Sequence, residues 1–334
     1  MRLALRAAAN GIGHTSPNPA VGAAIVSGGK IVARGWHRRA GLPHAEIEAL
    51  KKIRNARGAT IYVTLEPCST HGRTPPCVDA IIAAGIKRVV IGAIDPNPAH
   101  AGRAVKILKN ARIKVTTGVL EEECRALNKA FNKWIVTKTP WVIAKAGMSL
   151  DGRISRPPGE GQWITSPASR ADAHKLRARV DAILIGAETL RADNPQLTVR
   201  GIRGAKQPWR IVLTRSGKLP KGAHLFTDAH KDKTLVYKGK SLKAVLRDLG
   251  KKQITSVLIE GGANVLGQAF DARLVDEVHF YIAPLLIGGP KVSVGGRGAG
   301  SSAEGARIKN PHYEKIGDDL HIFGEVEYPG KLKS

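Results

Sequence analysis

The chain of 334 residues reads as an α/β protein built from two domains. Three observations carry that reading. Short runs rich in Val, Ile and Thr, such as Thr60–Leu65 and Arg88–Ala93, are bounded by turn residues. Stretches of about ten residues with helical apolar spacing alternate with those runs, as parallel β-α units do. The series then stops at Thr139-Pro140 and starts again. The domains are therefore expected at 1–139 and 140–334.

The elements follow in order. Arg2-Leu3-Ala4-Leu5-Arg6 reads as a helix already under way, with no apolar stretch behind it that would make a signal peptide. Val21–Ser27 and Ile31–Trp36 form a hairpin across Gly28-Gly29. A helical pattern runs from His44 to about Arg54, then strand Thr60–Leu65, helix Pro76–Ala84 and strand Arg88–Ala93. After the loop Asp95–Pro98 come a helix near Arg103–Asn110, a strand at Ile113–Thr117 and one long helix from Glu121 to Lys138. The second series opens with strand Trp141–Ala146, a Gly/Pro-rich loop over Asp151–Gly161 and a helix from about Ser166. Strands Asp181–Gly186, Trp209–Thr214, Thr234–Tyr237, Ser256–Glu260 and Glu277–Leu286 follow, with a helical segment from Ala263 to Phe270.

Composition narrows the function classes. Lys and Arg number 53 against 27 Asp and Glu, a formal charge of +26, which points first to nucleic acid. The excess is spread, however: 22 basic against 8 acidic side chains in residues 1–140, and 31 against 19 in residues 141–334. It forms neither an arm nor a tail. Three cysteines are too few for a secreted disulfide scaffold, and no apolar run is long enough to span a membrane. A reduced, cytoplasmic enzyme is the expectation.

His44-Ala45-Glu46 opens one helix, Pro67-Cys68 follows a strand, and Pro75-Pro76-Cys77 opens the next helix. A catalytic zinc takes three protein ligands and keeps a fourth position open, and one imidazole with two thiolates meets that need. Helix starts favour ionised thiols. Glu46, two residues beyond the histidine, is free to act as the proton-transferring acid/base. A closed structural zinc site would need a fourth ligand, and Cys124 is distant in sequence. His37 and His71 are weaker candidates, for substrate contact rather than for metal.

His-x-Glu with Pro-Cys and a second Cys resembles the zinc-dependent base deaminases. Eight residues, Ser69 to Pro76, separate the cysteines here, where nucleic-acid deaminases have two. With HAEIEAL, TLEPCSTHGRTPPC, SPNPAVG and DPNP, the first half resembles the deaminase part of the bifunctional diaminohydroxyphosphoribosylaminopyrimidine deaminase/reductases of riboflavin biosynthesis. That resemblance implies a three-layer cytidine-deaminase-like fold. It brings Asn18 to the pyrimidine and Arg73 near a substrate phosphate.

The resemblance extends through the second half. AGMSLDGR, QWITS, TLRADNP and LTVR are similar to the reductase part, which implies a dihydrofolate-reductase-like fold and NADPH. Carried over by position, Gly147, Trp163, Thr189, Asp193 and the turn Gly262, Ala263, Asn264, Val265, Leu266, Gly267 and Gln268 contact cofactor. Gly161, Arg177, Leu197, Arg200 and Glu260 contact substrate. The Gly261-Gly262 pair between strand and helix suits phosphate, although it is not a G-x-G-x-x-G fingerprint. Arg215 stands where the family often has a small hydroxyl residue, and a guanidinium there could pair with a cofactor 2′-phosphate. Arg177 and Arg200 suit a bidentate grip on a ribose 5-phosphate. Asp151 reads equally well as a sugar ligand or a turn cap. The expected protein is thus a bifunctional enzyme needing Zn2+ and NADPH, acting on a small phosphorylated pyrimidine, without nucleic acid or membrane, and assembling as a dimer or larger. A nucleic-acid base deaminase is the rival reading.

Overall fold

The computed structural model describes residues 1–70, 75–157, 160 and 163–330. Arg73 and His71, like Gly161 and Gln162, lie outside the described residues. The chain divides into two compact units, Met1–Lys138 and Thr139–Ser334. Among the described residues no helix is long and apolar enough to cross a membrane.

The first unit contains α1 (Arg2–Ala9), β1 (Gly22–Ser27), β2 (Lys30–Trp36), α2 (Ala45–Leu50), β3 (Thr60–Leu65), α3 (Cys77–Ala83), β4 (Arg88–Ala93), α4 (Arg103–Asn110), β5 (Lys114–Thr116), α5 (Glu121–Leu127) and α6 (Lys129–Thr137). Its sheet has the order β2-β1-β3-β4-β5; β1 runs antiparallel to β2 and β3, while β3, β4 and β5 are parallel. Two glycines set the layering. Gly22 lies against the backbone of α1, where a Cβ would strike Ala4 and Ala8. Gly35, opposite Ala23 and so on the other face, lies against Ala45 and Ala49 of α2. Helices therefore cover both faces, giving three layers. Ala23, Ile25, Ile61, Val63, Val89 and Ile91 form the core on the α2 side, with Ile81 and Leu108 from α3 and α4.

The long helix expected over 121–138 is instead two, broken at Asn128. The Asn128 side chain accepts from the Ala20 N–H (2.8 Å) and donates to the Ala20 carbonyl (3.0 Å). That buried pairing holds Asn128 at φ −120°, ψ 27°, outside helical geometry.

The second unit contains β6 (Trp141–Ser149), α7 (Pro167–Arg179), β7 (Ala182–Gly186), α8 (Ala187–Asp193), β8 (Trp209–Thr214), α9 (His224–Thr227), β9 (Thr234–Lys238), α10 (Leu242–Lys251), β10 (Ser256–Ile259), α11 (Ala263–Asp271), β11 (Glu277–Ala283), β12 (Arg307–Ile316) and β13 (Asp319–Glu327). The sheet order is β12-β13-β11-β6-β10-β7-β8-β9, parallel from β11 to β9 and antiparallel at β13 and β12. Every residue of β7 and β10 is buried, as parallel strands between two helical layers require. One face packs Val142, Leu184 and Ile259 on α10 and α11; the other packs Ile143, Ile183 and Val212 on Leu176, Leu190 and Leu225. Ser166 caps α7, its hydroxyl accepting from the Ser169 N–H. The hairpin β12–β13 is absent from the sequence reading. Pro311 and a run of charged residues mask β12 as a strand, and it is an exposed edge with a register break between Lys309 and His312.

Candidate active sites

In the first unit the site grows out of two helix starts and one strand end. His44 is the N-cap of α2, held in extended backbone, so its ring leaves the helix axis. Cys68 follows β3, and Cys77 is the first residue of α3, its N–H donating to Cys68 Sγ (3.2 Å). His44 Nδ1 stands 3.4 Å from Cys68 Sγ and 3.3 Å from Cys77 Sγ, and the three ligand atoms lie within 4.8 Å of one another. A tetrahedral zinc with ordinary Zn–S and Zn–N bonds needs edges of about 3.5 Å, so the donor set fits that ion. No fourth His, Cys, Asp or Glu joins the group among the described residues, which leaves the geometry of a catalytic rather than a closed site. Cys124 is elsewhere, packed with Leu65 and Ala93, its thiol pushed up to about 11 by burial.

The electrostatics agree. A hydrogen bond from the Cys77 thiol, outweighing burial, together with His44 holds Cys68 down to about 4, while the same bond and burial push Cys77 up. Two thiols sharing one proton bind a divalent ion by losing it. Glu46, in the first turn of α2, is 2% exposed, and burial raises its carboxyl to about 7. Its Oε2 is buried without a hydrogen-bond partner among the described residues. An orphaned carboxylate oxygen of this kind suits a proton carrier.

Asn18 arrives beside this group through a residue given little weight in the sequence. His37 Nδ1 lies 3.1 Å from the Pro43 carbonyl, which can only accept, so Nδ1 carries the hydrogen. Nε2 then accepts from Asn18 Nδ2 at 3.1 Å, which turns the Asn18 carbonyl oxygen away from His37. The His37 and His44 rings meet edge to face, 5.1 Å apart. Glu66 is a second omission. Its buried carboxylate accepts from the N–H groups of Asp95 (3.2 Å), Gly102 (3.0 Å) and Ala104 (3.0 Å), and so pins the DPNP loop.

The second unit holds two adjoining features. A cavity of about 450 Å³ opens at the C-terminal ends of β7, β8 and β9, the usual ligand position of a parallel sheet. Thr189, Arg215, Gly262, Asn264, Val265 and Gln268 line it, and so do Lys240 and Ser241, which the sequence did not single out. Gly262 N-caps α11 and its N–H donates to Thr189 Oγ1 (3.0 Å). Ala263, Leu266 and Gly267 are placed differently. Leu266 packs in the core, Ala263 takes the Gly295 N–H on its carbonyl, and Gly267 admits the backbone of Gly295 and Gly296. Gly147 packs against Thr165, Asp193 ends α8, and Trp163 lies under the Arg170 guanidinium, 54% exposed; none of the three lines the cavity.

The other feature is an ionic cluster. Arg177 grips Glu260 with both arms of its fork (2.6 and 2.9 Å) and donates its remaining Nη1 to the Thr198 carbonyl (3.1 Å). Lys145, unforeseen in the sequence, stands 3.6 Å from Glu260. Burial would raise the Glu260 carboxyl, but Arg177 and Lys145 outweigh it and hold it at about 2. The bidentate grip expected of Arg177 on a phosphate is thus occupied by Glu260. Arg200 is more open, its Nη1 donating to Gln196 Oε1 (2.9 Å) and Thr198 Oγ1 (3.3 Å). Leu197, at φ 51°, is buried among Leu176 and Leu190. Asp151 accepts from Ser149 Oγ (2.6 Å) and from the N–H groups of Ile287 (3.1 Å) and Gly288 (2.7 Å), which is a turn-capping role.

Known proteins carry the same two parts. Residues 1–93 match the cytidine and deoxycytidylate deaminase zinc-binding region, and residues 140–322 match the RibD C-terminal domain. The riboflavin biosynthesis protein RibD of Aquifex aeolicus is 41% identical, over 97% of this chain and 96% of its own. That of Escherichia coli is also 41% identical, over 97% and 98%. The structure of Acinetobacter baumannii RibD superposes with a TM-score of 0.91 at 37% identity, covering 98% of this chain and 97% of that one. A diaminohydroxyphosphoribosylaminopyrimidine deaminase/5-amino-6-(5-phosphoribosylamino)uracil reductase from Thermotoga maritima gives 0.88 at 35%, with the same coverage. With a zinc-type deaminase unit at one end, an NADPH-type reductase unit at the other and near-full-length identity of this order, the chain belongs to the RibD family of bifunctional riboflavin-biosynthesis enzymes.

Proposed function

We propose that residues 1–139 hydrolytically deaminate 2,5-diamino-6-(5-phosphoribosylamino)pyrimidin-4(3H)-one and that residues 140–334 reduce the ribose of the product to a ribityl chain with NADPH. The convergence of His44, Cys68 and Cys77 beside the orphaned Glu46 carboxylate carries this reading. His44, Cys68 and Cys77 would hold the zinc, which supplies Lewis-acid activation of water. Glu46 takes a proton from the water that adds to the amino-bearing ring carbon and returns it to the departing nitrogen; the C–N bond breaks and ammonia leaves. Asn18, oriented by His37, presents its carbonyl oxygen to a ring N–H. Arg73 is assigned to the substrate phosphate.

In the second unit NADPH supplies the hydride, and the chain supplies alignment. Thr189, Gly262, Asn264, Val265 and Gln268 cradle the nucleotide, with Arg215 at its 2′-phosphate; Gly147, Trp163 and Asp193 are assigned to the parts of the cofactor beyond this cavity, and Ala263, Leu266 and Gly267 serve it by shaping the turn from behind. Arg200, Glu260, Arg177, Leu197 and Gly161 form the sugar-phosphate side. The homo-oligomeric, cytoplasmic part of the reading rests on family resemblance and on a site that needs reduced thiols. Light scattering on the purified chain checks the assembly.

The test is NADPH oxidation with and without the diaminopyrimidine phosphate, in wild type and in Glu46→Gln. The variant is expected to lose deamination yet reduce the pre-deaminated substrate. No substrate-dependent oxidation, together with tight, salt-sensitive RNA binding, overturns the proposal in favour of the nucleic-acid rival.

A further inference from the structure

His174, on α7, sits inside the ionic cluster of the second unit. Its Nδ1 accepts the backbone N–H of Arg200 at 3.2 Å. The hydrogen of the neutral ring is therefore on Nε2, and among the described residues Nε2 has no hydrogen-bond partner. Arg177 is one helical turn away on the same element, Arg200 comes from the loop after α8, Lys145 from β6 and Glu260 from the end of β10. Burial and these cations, against the single carboxylate of Glu260, keep the ring neutral, with its proton loss moved down to about 4. Three cations face one carboxylate, and that carboxylate is already bound by Arg177 on both oxygens. The cluster has positive charge to spare for one anion. Arg177 is the most committed of the cations, with Nε, Nη1 and Nη2 each already donating to a protein oxygen. The donors least engaged with Glu260 are the Arg200 guanidinium, the Lys145 ammonium and His174 Nε2–H, and the last two stand beside the anion's place without a protein hydrogen bond of their own among the described residues.

We infer that His174 is a substrate-phosphate ligand of the reductase site, donating Nε2–H to a phosphate oxygen beside Arg200 while Arg177 is held by Glu260 as the charged floor of the site. This rests on the reading of that cluster as the sugar-phosphate site. The Arg200 backbone N–H fixes the tautomer, so the same short segment positions both donors.

Calorimetric titration of the full chain with ribose 5-phosphate, and with ribose as the uncharged control, tests it. Wild type is expected to bind ribose 5-phosphate selectively. His174→Leu is expected to weaken that binding about tenfold, the loss of one hydrogen bond to a charged group. His174→Gln, whose amide nitrogen reaches a similar point, is expected to stay within about threefold and guards against a folding defect in the leucine variant. In turnover, the leucine change should raise KM for the phosphorylated substrate and leave kcat near wild type. Failure of wild type to bind ribose 5-phosphate overturns the phosphate reading and the inference together. Binding that survives His174→Leu unchanged, or that falls equally in the glutamine variant, overturns the inference alone.

Discussion

The two sites solve opposite problems. In the first unit, His44, Cys68 and Cys77 point three donors at one another within hydrogen-bonding distance, and the Glu46 carboxylate beside them is buried with an unpartnered oxygen. That arrangement is complete only with a cation and a water between the groups. In the second unit, Arg177 and Glu260 already hold one another on both carboxylate oxygens, with Lys145 3.6 Å away. The first site is thus paired toward a ligand and the second toward itself. Removing a group from the first should cost chemistry, whereas removing one from the second should cost stability.

The sharpest way to break this contrast is Glu46→Gln. Losing a general acid/base is expected to lower the deamination rate about 10²–10⁴-fold. One zinc per chain, measured by elemental analysis, and the thermal midpoint should both stay near wild type, because Glu46 is not a ligand and the amide has the same shape without a charge to bury. A variant that loses its zinc or unfolds would show that Glu46 is a structural part of the site. Chelation belongs to the same test: it should abolish deamination and leave reduction of the deaminated substrate intact.

Glu260→Gln should do the reverse. Arg177 is only 14% exposed in its side chain, and a neutral partner leaves its charge buried without compensation. Breaking a buried pair typically costs about 3–5 kcal/mol, so the urea midpoint of the second unit should fall sharply while deamination by the first survives in mild buffer. Equal stability of variant and wild type would mean that water reaches this pair freely.

The contrast also explains what was legible in the sequence. His44-x-Glu46 and the Pro-Cys pairs are local: each motif sits at a helix start or strand end that the flanking residues themselves specify, so fold and site were read together. Strands such as Thr60–Leu65 and Arg88–Ala93 needed only their own β-branched runs. The cluster around Glu260 was harder, because Lys145, the α7 pair His174 and Arg177, and Glu260 come from three separate elements and nothing local marks Lys145 or His174. Long-range backbone capture was hidden too. Asn128 looks like an ordinary helical asparagine until Ala20 takes both ends of its side chain. Pro311 hid β12 because the strand lies on a sheet edge, where a missing N–H costs no ladder bond.

Acid should separate the units further. Glu260 is held at about 2, below the ordinary carboxylate range, so the unfolded chain takes up its proton first as pH falls. Its contribution to stability is full above that ordinary range and is lost on the way down to about 2. His174, neutral down to about 4, acts in the same direction over a higher window. Below the ordinary imidazole range the unfolded state is protonated while the folded ring is not, and stability declines toward about 4. The denaturation midpoint of wild type should therefore fall relative to that of His174→Gln between neutral and mildly acidic pH. A constant difference between them would mean that the ring titrates alike in the folded and the unfolded chain.

The smallest expected effect concerns the rim of the cofactor cavity. Arg215 and Lys240 follow the ends of the adjacent parallel strands β8 and β9, and both are exposed. A charge-assisted hydrogen bond to a phosphate contributes less at an exposed rim than in a buried site, so Arg215→Ser should weaken NADPH about tenfold at low salt and leave NADH unchanged. Fluorescence titration of both cofactors reads this directly, and raising the salt should shrink the NADPH difference first, because only that ligand carries the extra phosphate. An equal loss for the two cofactors would put the guanidinium on the shared pyrophosphate instead, and no loss for either would leave the 2′-phosphate to Lys240.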